Sequence, residues 1–427
     1  MAFSTQAIQT SRSAADTEQF MSIVTNLYDA HINPDGYVSL GIAENTLMHD
    51  VLTEHMRKNL TIPSAALTYG DGQKSLKSAA ARFLNRQFKP ATPVEPSHIH
   101  ISNGVTPAIQ NVAWAIGNPG DGLLLGRPHY VAFPGDVNRR TGVEVVPVSF
   151  GELDPMGLEA VQKYEEAILG AEKRGQRIAG VILAHPHNPL GRCYPRNVLI
   201  AFMKLCQKYQ IHLLSDEIYA LSVFENRVDR DEAAVAFESV LSIDTAGIID
   251  PGLVHVLWGM SKDFGANGLR MGIMVTQNSP RMQAALLSVF EFSWTSSLSD
   301  LVTANALQDD EWVEAYIKEN QKRLSEHHEK VLLWAKENDV EYAAGSNAGF
   351  FIWVDLGAAY KRYHPEVEDA HLDETVMAAL LEKKVFLADG VGMAAEKPGW
   401  FRIIFTQETG YLEEGLRRIM AALKGSE

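Results

Sequence analysis

The stretch GMSKDFGANGLRMG, residues 259–272, carries a lysine and an arginine, Lys262 and Arg270, on a glycine-rich segment. It follows the apolar run LVHVLW, which has the length and composition of a buried strand. In an open α/β sheet, ligands bind outside the carboxyl ends of the strands. We therefore interpret the stretch as a strand end followed by a turn that presents two cationic side chains to a ligand.

The same arrangement recurs along the chain. From Tyr69 onward, apolar strand-like runs alternate with helical patterns, which predicts an α/β fold with a buried, mostly parallel sheet. Five polar segments follow predicted strands: SNGVTP, GRPHY, HPHNPLG, SDEIY and GMSK. Because the carboxyl ends of parallel strands share one sheet edge, we expect these segments to form a single pocket.

Composition excludes several classes of function. The 427 residues suggest two domains, and a net charge of −15 disfavours nucleic acid as a partner while allowing a small anionic ligand. Two cysteines, Cys193 and Cys206, are too few for a disulfide framework or a zinc site, and no metal is predicted. No apolar run is long enough to span a membrane and no signal-peptide core begins the chain, so we expect a cytoplasmic enzyme.

The strand-end side chains match the needs of an aldehyde-bearing pyridine ring. Lys262 could form a covalent imine, and Asp216 could keep a ring nitrogen protonated. Asn188 and Tyr219 could hydrogen-bond a ring oxygen, and Tyr130 could stack on the ring. Four of these residues also have a purely structural interpretation: a solvated Ser-Lys turn for Lys262, an acidic cap for Asp216, an Asn-Pro turn for Asn188 and a core aromatic for Tyr130.

A phosphate site is predicted beside them. Gly104, Val105 and Thr106 precede a helix, whose N-terminal N–H groups could hold a phosphate, and Arg270 offers a guanidinium suited to it. The alternative is an ordinary turn with a threonine cap. Together with the ring contacts, this set of side chains describes a site for pyridoxal 5′-phosphate.

The order of these motifs resembles the fold-type I pyridoxal-phosphate enzymes of the class I/II aminotransferase family. Within it the chain looks most like 1-aminocyclopropane-1-carboxylate synthase and its relatives, on LGIAENTL (40–47), NPLG, SDEIY, SKDFG and EKPGWFRIIF (396–405). The resemblance runs from about residue 28 to near the C-terminus. It implies a large domain with a mostly parallel seven-stranded sheet and a smaller α+β domain built from both termini. We assign 1–60 to an N-terminal arm and part of the small domain, 61–310 to the large domain and 311–427 to the C-terminal small domain.

The resemblance also implies roles. Lys262 would bind the cofactor covalently and move the Cα proton, and Ser261 would join Arg270 and the 104–106 turn on the phosphate. Arg402 would bind the substrate α-carboxylate, and Glu44 would line the substrate pocket together with Asn188. Tyr69 would reach the cofactor phosphate of a neighbouring subunit, so a homodimer with shared active sites is expected.

Departures from the family pattern bear on the substrate. Three residues before the lysine many relatives carry a serine that contacts phosphate, and this chain has Gly259. HYVAFPG (129–135) and YGDG (69–72) also differ from the plant synthases. These changes leave the cofactor prediction intact and leave the substrate open.

Three functions follow from these observations. The first is a synthase-like lyase that acts on S-adenosylmethionine or a related γ-activated amino acid. The second is an aminotransferase with an amino-acid donor and a 2-oxo acid acceptor. A third, a non-catalytic regulator with a DNA-binding domain, is disfavoured by the acidic charge and by the short segment that precedes the match.

Overall fold

The computed structural model describes residues 3–4, 7–8, 14–230 and 234–425. Part of the predicted N-terminal arm, residues 1–2, 5–6 and 9–13, lies outside the described residues. None of the helices in the described ranges is both long and apolar enough to cross a bilayer. The same ranges contain no group of three or more histidine, cysteine, aspartate or glutamate side chains placed to bind a metal.

The strands in chain order are β1 (Val38–Ser39), β2 (Ile99–Ser102), β3 (Gly122–Gly126), β4 (Glu144–Val148), β5 (Ile178–Ala184), β6 (His212–Asp216), β7 (Val254–Gly259), β8 (Gly272–Thr276), β9 (Glu341–Tyr342), β10 (Phe351–Asp355), β11 (Val385–Phe386), β12 (Ala388–Asp389) and β13 (Trp400–Ile404).

The α-helices are α1 (Ala14–Val24), α2 (His49–Asn59), α3 (Lys74–Gln87), α4 (Val105–Ile116), α5 (Phe133–Thr141), α6 (Ala160–Lys173), α7 (Arg196–Tyr209), α8 (Pro280–Phe290), α9 (Ser297–Gln308), α10 (Asp310–Glu337), α11 (Leu356–Lys361), α12 (Leu372–Glu382) and α13 (Thr409–Lys424). Short 3-10 turns lie at Ser64–Leu67, Pro96–His98, Val240–Ser242, Pro251–Leu253, Asn267–Leu269, Glu291–Ser293 and Asp369–His371.

The large sheet has seven strands in the order β2-β8-β7-β6-β5-β3-β4. Neighbouring strands from β4 to β7 pair in parallel, whereas β8 is antiparallel to both β7 and β2. The predicted mostly parallel seven-stranded sheet is therefore confirmed. The run of residues 272–276 was not among the strands predicted from pattern, because it is short and follows the Arg270 turn at once.

Both faces of this sheet are buried, which explains its continuous apolar strands. Successive residues of one strand enter different clusters: Leu213 packs with Val256 on one face, and Leu214 packs with Leu257 on the other. Side chains alternate across a strand, so two apolar layers of helices cover the sheet. Polar residues remain at the strand ends, where the predicted site lies.

A second unit draws on both ends of the chain. Strands β12, β13, β10 and β9 form a four-stranded antiparallel sheet, and β1 pairs in parallel with β11. The predicted small α+β domain from both termini is confirmed as an architecture. The boundaries at residues 60 and 310 stay a prediction.

Helix α10 is the longest helix of the described residues, with 28 residues. It begins at Asp310, because the Asp309 side chain accepts a hydrogen bond of 3.1 Å from the Trp312 N–H and caps the first turn.

Candidate active site

A cavity of about 250 Å³ opens at the carboxyl ends of the central strands. Its size approaches that of small-ligand sites in other proteins. Nine residues proposed from the sequence line it: Val105, Thr106, Tyr130, Asn188, Asp216, Tyr219, Ser261, Lys262 and Arg270. The remaining lining residues are Ile109, Phe133, Asp136, Ala184, Pro186, Ile218 and Asn267. The structure thus joins segments from five strand ends in one pocket.

Asp216 ends β6 at the cavity and is buried. Burial raises the pKa of its carboxyl to about 7, and the charge of Asp136 adds to this, while the Ile218 N–H and Lys262 oppose it. The hydrogen bond from Ile218 N is 3.3 Å long. A buried carboxylate of this kind is stabilised by a cationic donor, which a protonated pyridine nitrogen would supply.

Lys262 lies on the turn after β7, and its Nζ donates a hydrogen bond to the Ala43 carbonyl oxygen. Loss of solvent around Nζ lowers the pKa of Lys262 to about 8. The charges of Arg402 and Arg270 also lower it, and Glu44 and Asp216 oppose them. An amine with this pKa can be neutral near physiological pH, as covalent bond formation with an aldehyde requires.

Two tyrosines form the walls of the cavity. Tyr219 is held edge-on against Phe350 and Phe351, with ring centroids 5.3 and 5.4 Å away. Tyr130 packs edge-on against Phe133 at 5.4 Å. Burial raises the pKa of both phenols, so they remain protonated donors.

The phosphate-binding turn predicted at 104–106 forms the start of α4. Gly104 is the residue before the helix and has φ +116°, a conformation that favours glycine. A Cβ at this position would contact the Arg270 guanidinium. Gly104 itself is outside the cavity lining, but Val105, Thr106 and Arg270 lie in it. An N-terminal helix turn facing a guanidinium is a suitable anion site.

The structure gives a steric reason for glycine at position 259, which the sequence alone did not reveal. A Cβ there would collide with the Met271 carbonyl oxygen and lie 3.3 Å from a Val105 methyl. Strands β7 and β8 pair Gly259 with Gly272, so the collision would fall inside the ladder. The backbone at this point has no room for the serine that the family resemblance would place here.

Arg402, on β13, is 2% exposed and lies beside the cavity, outside its lining. Its Nη1 donates to Asn188 Oδ1 at 2.8 Å, and its Nη2 donates to the Gly41 carbonyl at 2.6 Å. Its Nε has no hydrogen-bond partner among the described residues. A buried guanidinium with a free donor is suited to an incoming carboxylate.

Glu44 also lies outside the cavity lining, on the loop between β1 and α2. The side chain of Asn267, which does line the cavity, donates to Glu44 Oε1 at 2.7 Å. Sequence reasoning missed Asn267. The available signal was its place as a polar residue between Lys262 and Arg270.

Asp136 is a second lining residue that was missed. Its carboxylate accepts a hydrogen bond of 3.3 Å from Thr106 Oγ1, and burial raises its pKa to about 6. It follows the HYVAFPG segment, where only Tyr130 had been singled out.

Tyr69 is not brought into this cavity. Its side chain is 89% exposed on the loop before α3.

The residues present fit pyridoxal 5′-phosphate. Asp216 is a buried carboxylate that lacks a cationic hydrogen-bond partner in the described chain, and it lies in the same cavity as Lys262. The α4 start and Arg270 supply an anion site. A protonated ring nitrogen, an aldehyde and a phosphate would each meet a complementary group.

Comparisons with known proteins agree. The family model described as aminotransferase class I and II matches residues 36–419. The chain is 33% identical to 1-aminocyclopropane-1-carboxylate synthase-like protein 1 of Bos taurus, covering 93% of this chain and 78% of that protein. It is 30% identical to 1-aminocyclopropane-1-carboxylate synthase 8 of Arabidopsis thaliana, covering 93% of this chain and 85% of that protein.

Among solved structures, a single mutant of Thermus thermophilus aspartate aminotransferase matches with a TM-score of 0.72 at 20% identity, covering 99% of this chain and 100% of that one. This likeness shows the fold. With the family match over most of the sequence, it establishes that the chain belongs to the class I and II aminotransferases, which depend on pyridoxal 5′-phosphate.

Proposed function

We propose that this protein is a pyridoxal-phosphate lyase similar to 1-aminocyclopropane-1-carboxylate synthase. It would act at Cα and Cγ of S-adenosylmethionine or a related γ-activated amino acid. The observation that carries the proposal is the distribution of charge. The cations among the described lining residues are Lys262 and Arg270, both with cofactor roles, and the carboxylate of Glu44 is held beside them by Asn267.

This distribution favours a cationic substrate. A substrate with a second carboxylate would need another cation, and the lining residues of this chain offer none beyond the two named. A sulfonium group is attracted both by a carboxylate such as Glu44 and by the faces of aromatic rings such as Tyr130. Of the two relatives described above, one is named a synthase and the other synthase-like, which supports the same interpretation.

The chemical roles follow from the site. Pyridoxal phosphate, when bound, stabilises negative charge that develops at the substrate Cα. Lys262 Nζ accepts the Cα proton, which its lowered pKa allows near neutral pH. The proton does not return to Cα, because the Cα electron pair forms the bond to Cγ while the Cγ–sulfur bond breaks and methylthioadenosine leaves. Asp216 keeps the ring nitrogen protonated, and Asn188 and Tyr219 hold the ring oxygen. Arg402 fixes the substrate by its α-carboxylate.

Orientation would decide the product. Ring closure requires the Cα electron pair and the Cγ–sulfur bond to be in line, so the substrate must be held at both ends. In our proposal Arg402 binds one end, and Glu44 attracts the sulfonium at the other.

The alternative is transamination between an amino-acid donor and a 2-oxo acid. The match to the aminotransferase class I and II model favours it, and it uses the same Lys262, Asp216 and Arg402. It differs in the fate of the proton, which Lys262 returns in transamination, whereas ring closure uses the Cα electron pair in a new bond to Cγ.

We also propose a homodimer in which Tyr69 reaches the partner's cofactor phosphate. The support is the exposed surface of the Tyr69 loop, where Leu67 is 79% and Tyr69 itself 89% exposed. A hydrogen bond of 2.9 Å from Ser297 Oγ to the Thr68 carbonyl ties the Tyr69 loop to the start of α9. A second copy of the chain would cover this surface.

The test is product analysis of purified protein loaded with pyridoxal phosphate and incubated with S-adenosylmethionine. Methylthioadenosine together with 1-aminocyclopropane-1-carboxylate would establish the lyase. Methylthioadenosine with another product would indicate elimination or γ-substitution. Neither product, with turnover of amino acids against a panel of 2-oxo acids, would establish transamination.

A charge variant tests the observation itself. Glu44→Gln should lower kcat/KM for S-adenosylmethionine about tenfold and affect a neutral amino acid much less. Glu54→Gln, which removes an exposed carboxylate paired with Lys58 on α2, is the matched control. An equal loss for both substrates would contradict the proposed role of Glu44.

A further inference from the structure

Asp263 follows Lys262 directly in the chain and is 2% exposed. Its Oδ1 accepts a hydrogen bond of 2.7 Å from Ser222 Oγ. Its Oδ2 accepts from Trp258 Nε1 at 2.8 Å and from Leu221 N at 3.1 Å. One side chain therefore joins the turn after β7, the body of β7 and the loop after β6.

The partners of this carboxylate are all neutral. The N–H groups of Trp258 and Leu221 can only donate, so both require an acceptor oxygen at Asp263. Burial raises the pKa of Asp263 to about 7, and its hydrogen bonds with Trp258 and Ser222 oppose this. Burying such a group weakens folding unless every partner is in place, so its clearest use is to fix one arrangement of the segments it joins.

The segments it joins carry two residues of the site. The β7 turn presents Lys262, and the β6 loop presents Tyr219 three residues before Ser222. The Ser222 N–H also donates to the Tyr219 carbonyl at 3.0 Å, which makes the loop compact. A shift at Asp263 would therefore reach both side chains.

Helix α10 braces the same turn from the other side. Tyr316 OH donates to the Phe264 carbonyl at 2.9 Å, and Asn320 Nδ2 donates to the Asp263 carbonyl at 3.4 Å. The Asn320 side-chain oxygen in turn accepts from Asn45 Nδ2 at 2.8 Å, next to Glu44. The backbone of the lysine turn is thus held against rigid structure, and the Asp263 carboxylate fixes its position relative to the tyrosine loop.

We propose that Asp263 is a positioning residue that keeps Lys262 and Tyr219 in register on the cofactor. The inference rests on the proposed cofactor roles of these two residues and is independent of which substrate the enzyme uses. Asp263 itself would touch neither substrate nor cofactor. It acts through the two loops that it connects.

The decisive variant is Ser222→Ala, because it removes one donor and leaves the Asp263 side chain and its bonds to Trp258 and Leu221 in place. The holoenzyme is titrated with pH, and the midpoint of the absorption change of the bound cofactor is measured. If Tyr219 moves away from the ring oxygen, the deprotonated form of the bound cofactor loses a hydrogen bond and the protonated form becomes more populated. The midpoint should then rise by about half a pH unit. We also expect kcat to fall about tenfold with a smaller change in KM.

A matched control and a second background separate positioning from general stability. Ser325→Ala also removes a buried serine hydrogen bond of 2.7 Å, to the Glu225 carbonyl in the same loop, but neither residue lines the cavity or contacts Asp263, so the midpoint should stay unchanged. In a Tyr219→Phe background, Ser222→Ala should no longer shift the midpoint, because the hydroxyl that it displaces is absent. Asp263→Ala, which leaves the Trp258 and Leu221 N–H groups without their acceptor, should lower kcat further.

The proposal is overturned if Ser222→Ala folds and binds cofactor with an unchanged midpoint, or if the shift persists in the Tyr219→Phe background. A Lys262→Ala protein that keeps the wild-type cofactor absorption would instead refute the proposed site. The two failures are therefore distinguishable.

Discussion

The Arg402 guanidinium donates a 2.8 Å hydrogen bond to the Asn188 side-chain oxygen across 214 residues of sequence. Arg402 belongs to the sheet of the small unit, and Asn188 follows β5 of the large sheet. The group proposed to bind the substrate and a group proposed to bind the cofactor are thus in direct contact. A substrate carboxylate that engages Arg402 would be sensed at the cofactor through this bond.

Removing the Arg402 guanidinium should weaken substrate binding. We expect Arg402→Lys to raise KM for an α-amino acid substrate about 100-fold, because an ammonium cannot form the two-pronged bond to a carboxylate. Steady-state kinetics will measure it, with cofactor absorption as the control for an intact site. An unchanged KM would mean that the carboxylate binds elsewhere.

Lys262→Ala should abolish the absorption band of covalently bound cofactor. In the wild-type protein, borohydride reduction followed by peptide mapping should place the modified lysine at position 262. Circular dichroism of the variant checks that the fold is kept. Modification at another lysine would displace Lys262 from its proposed role.

Asp216→Asn should separate stability from function. The folded-state pKa of Asp216, about 7, lies above its ordinary value of 3.8. The proton is therefore held more tightly by the folded chain, and the stability that this confers is lost as the pH rises through 7. At pH 8 the buried charge costs up to about 4 kcal/mol.

Replacing that carboxylate by an amide removes the charge. The cofactor-free variant should melt at a higher temperature than wild type at pH 8, and the gain should shrink toward pH 4. Its activity with cofactor should fall at least about 100-fold, because the ring nitrogen loses its counter-charge. Thermal unfolding of both apoproteins across pH gives the first result. A variant with full activity would exclude Asp216 as the ring partner.

Gly259→Ser should not restore a phosphate contact. A side chain at this position collides with the Met271 carbonyl, so we expect a loss of about 1 to 3 kcal/mol in unfolding free energy and weaker cofactor binding. Gly268→Ala in the same segment is the control for stability, since an added Cβ there meets no atom within 4 Å. Tighter cofactor binding in Gly259→Ser would show that β7 can shift enough to accommodate a side chain, which would contradict this prediction.

Shared active sites can be tested by mixing. Tyr69→Phe and Lys262→Ala proteins should each be weakly active or inactive alone. Mixed under conditions that exchange subunits, they should regain activity, because one site of each hybrid dimer receives both wild-type residues. Sedimentation confirms that exchange has occurred. Absence of recovery in exchanged dimers would place Tyr69 outside the partner's site.

The pocket was predictable because each strand end is visible in the sequence. Lys262, Asp216 and Asn188 each follow an apolar run, and parallel strands deliver such positions to one edge. The β8 strand was not visible, since its five residues begin immediately after the turn that carries Arg270. A short apolar run beside a functional motif has no periodicity of its own.

Contacts between distant segments were beyond reach. The hydrogen bond between Asn267 and Glu44 joins residues 223 positions apart, and no local pattern in either segment predicts it. The fit of Gly259 against Met271 likewise depends on the pairing of β7 with β8. The hydrogen bond between Ser222 and Asp263 could not be predicted either, because the two loops that carry them meet only after the sheet has formed.

The pairing of Val38–Ser39 with Val385–Phe386 has a consequence for how the protein is made. A ribosome releases the β1 segment early, but its partner strand is synthesised more than three hundred residues later. The large sheet lies between them and can assemble first, as domains do during translation. The loop that carries Glu44 therefore reaches its place only after residues 385–386 have been synthesised. A nascent chain stalled before residue 385 would have the large sheet without the two residues, Glu44 and Arg402, that are proposed to contact the substrate.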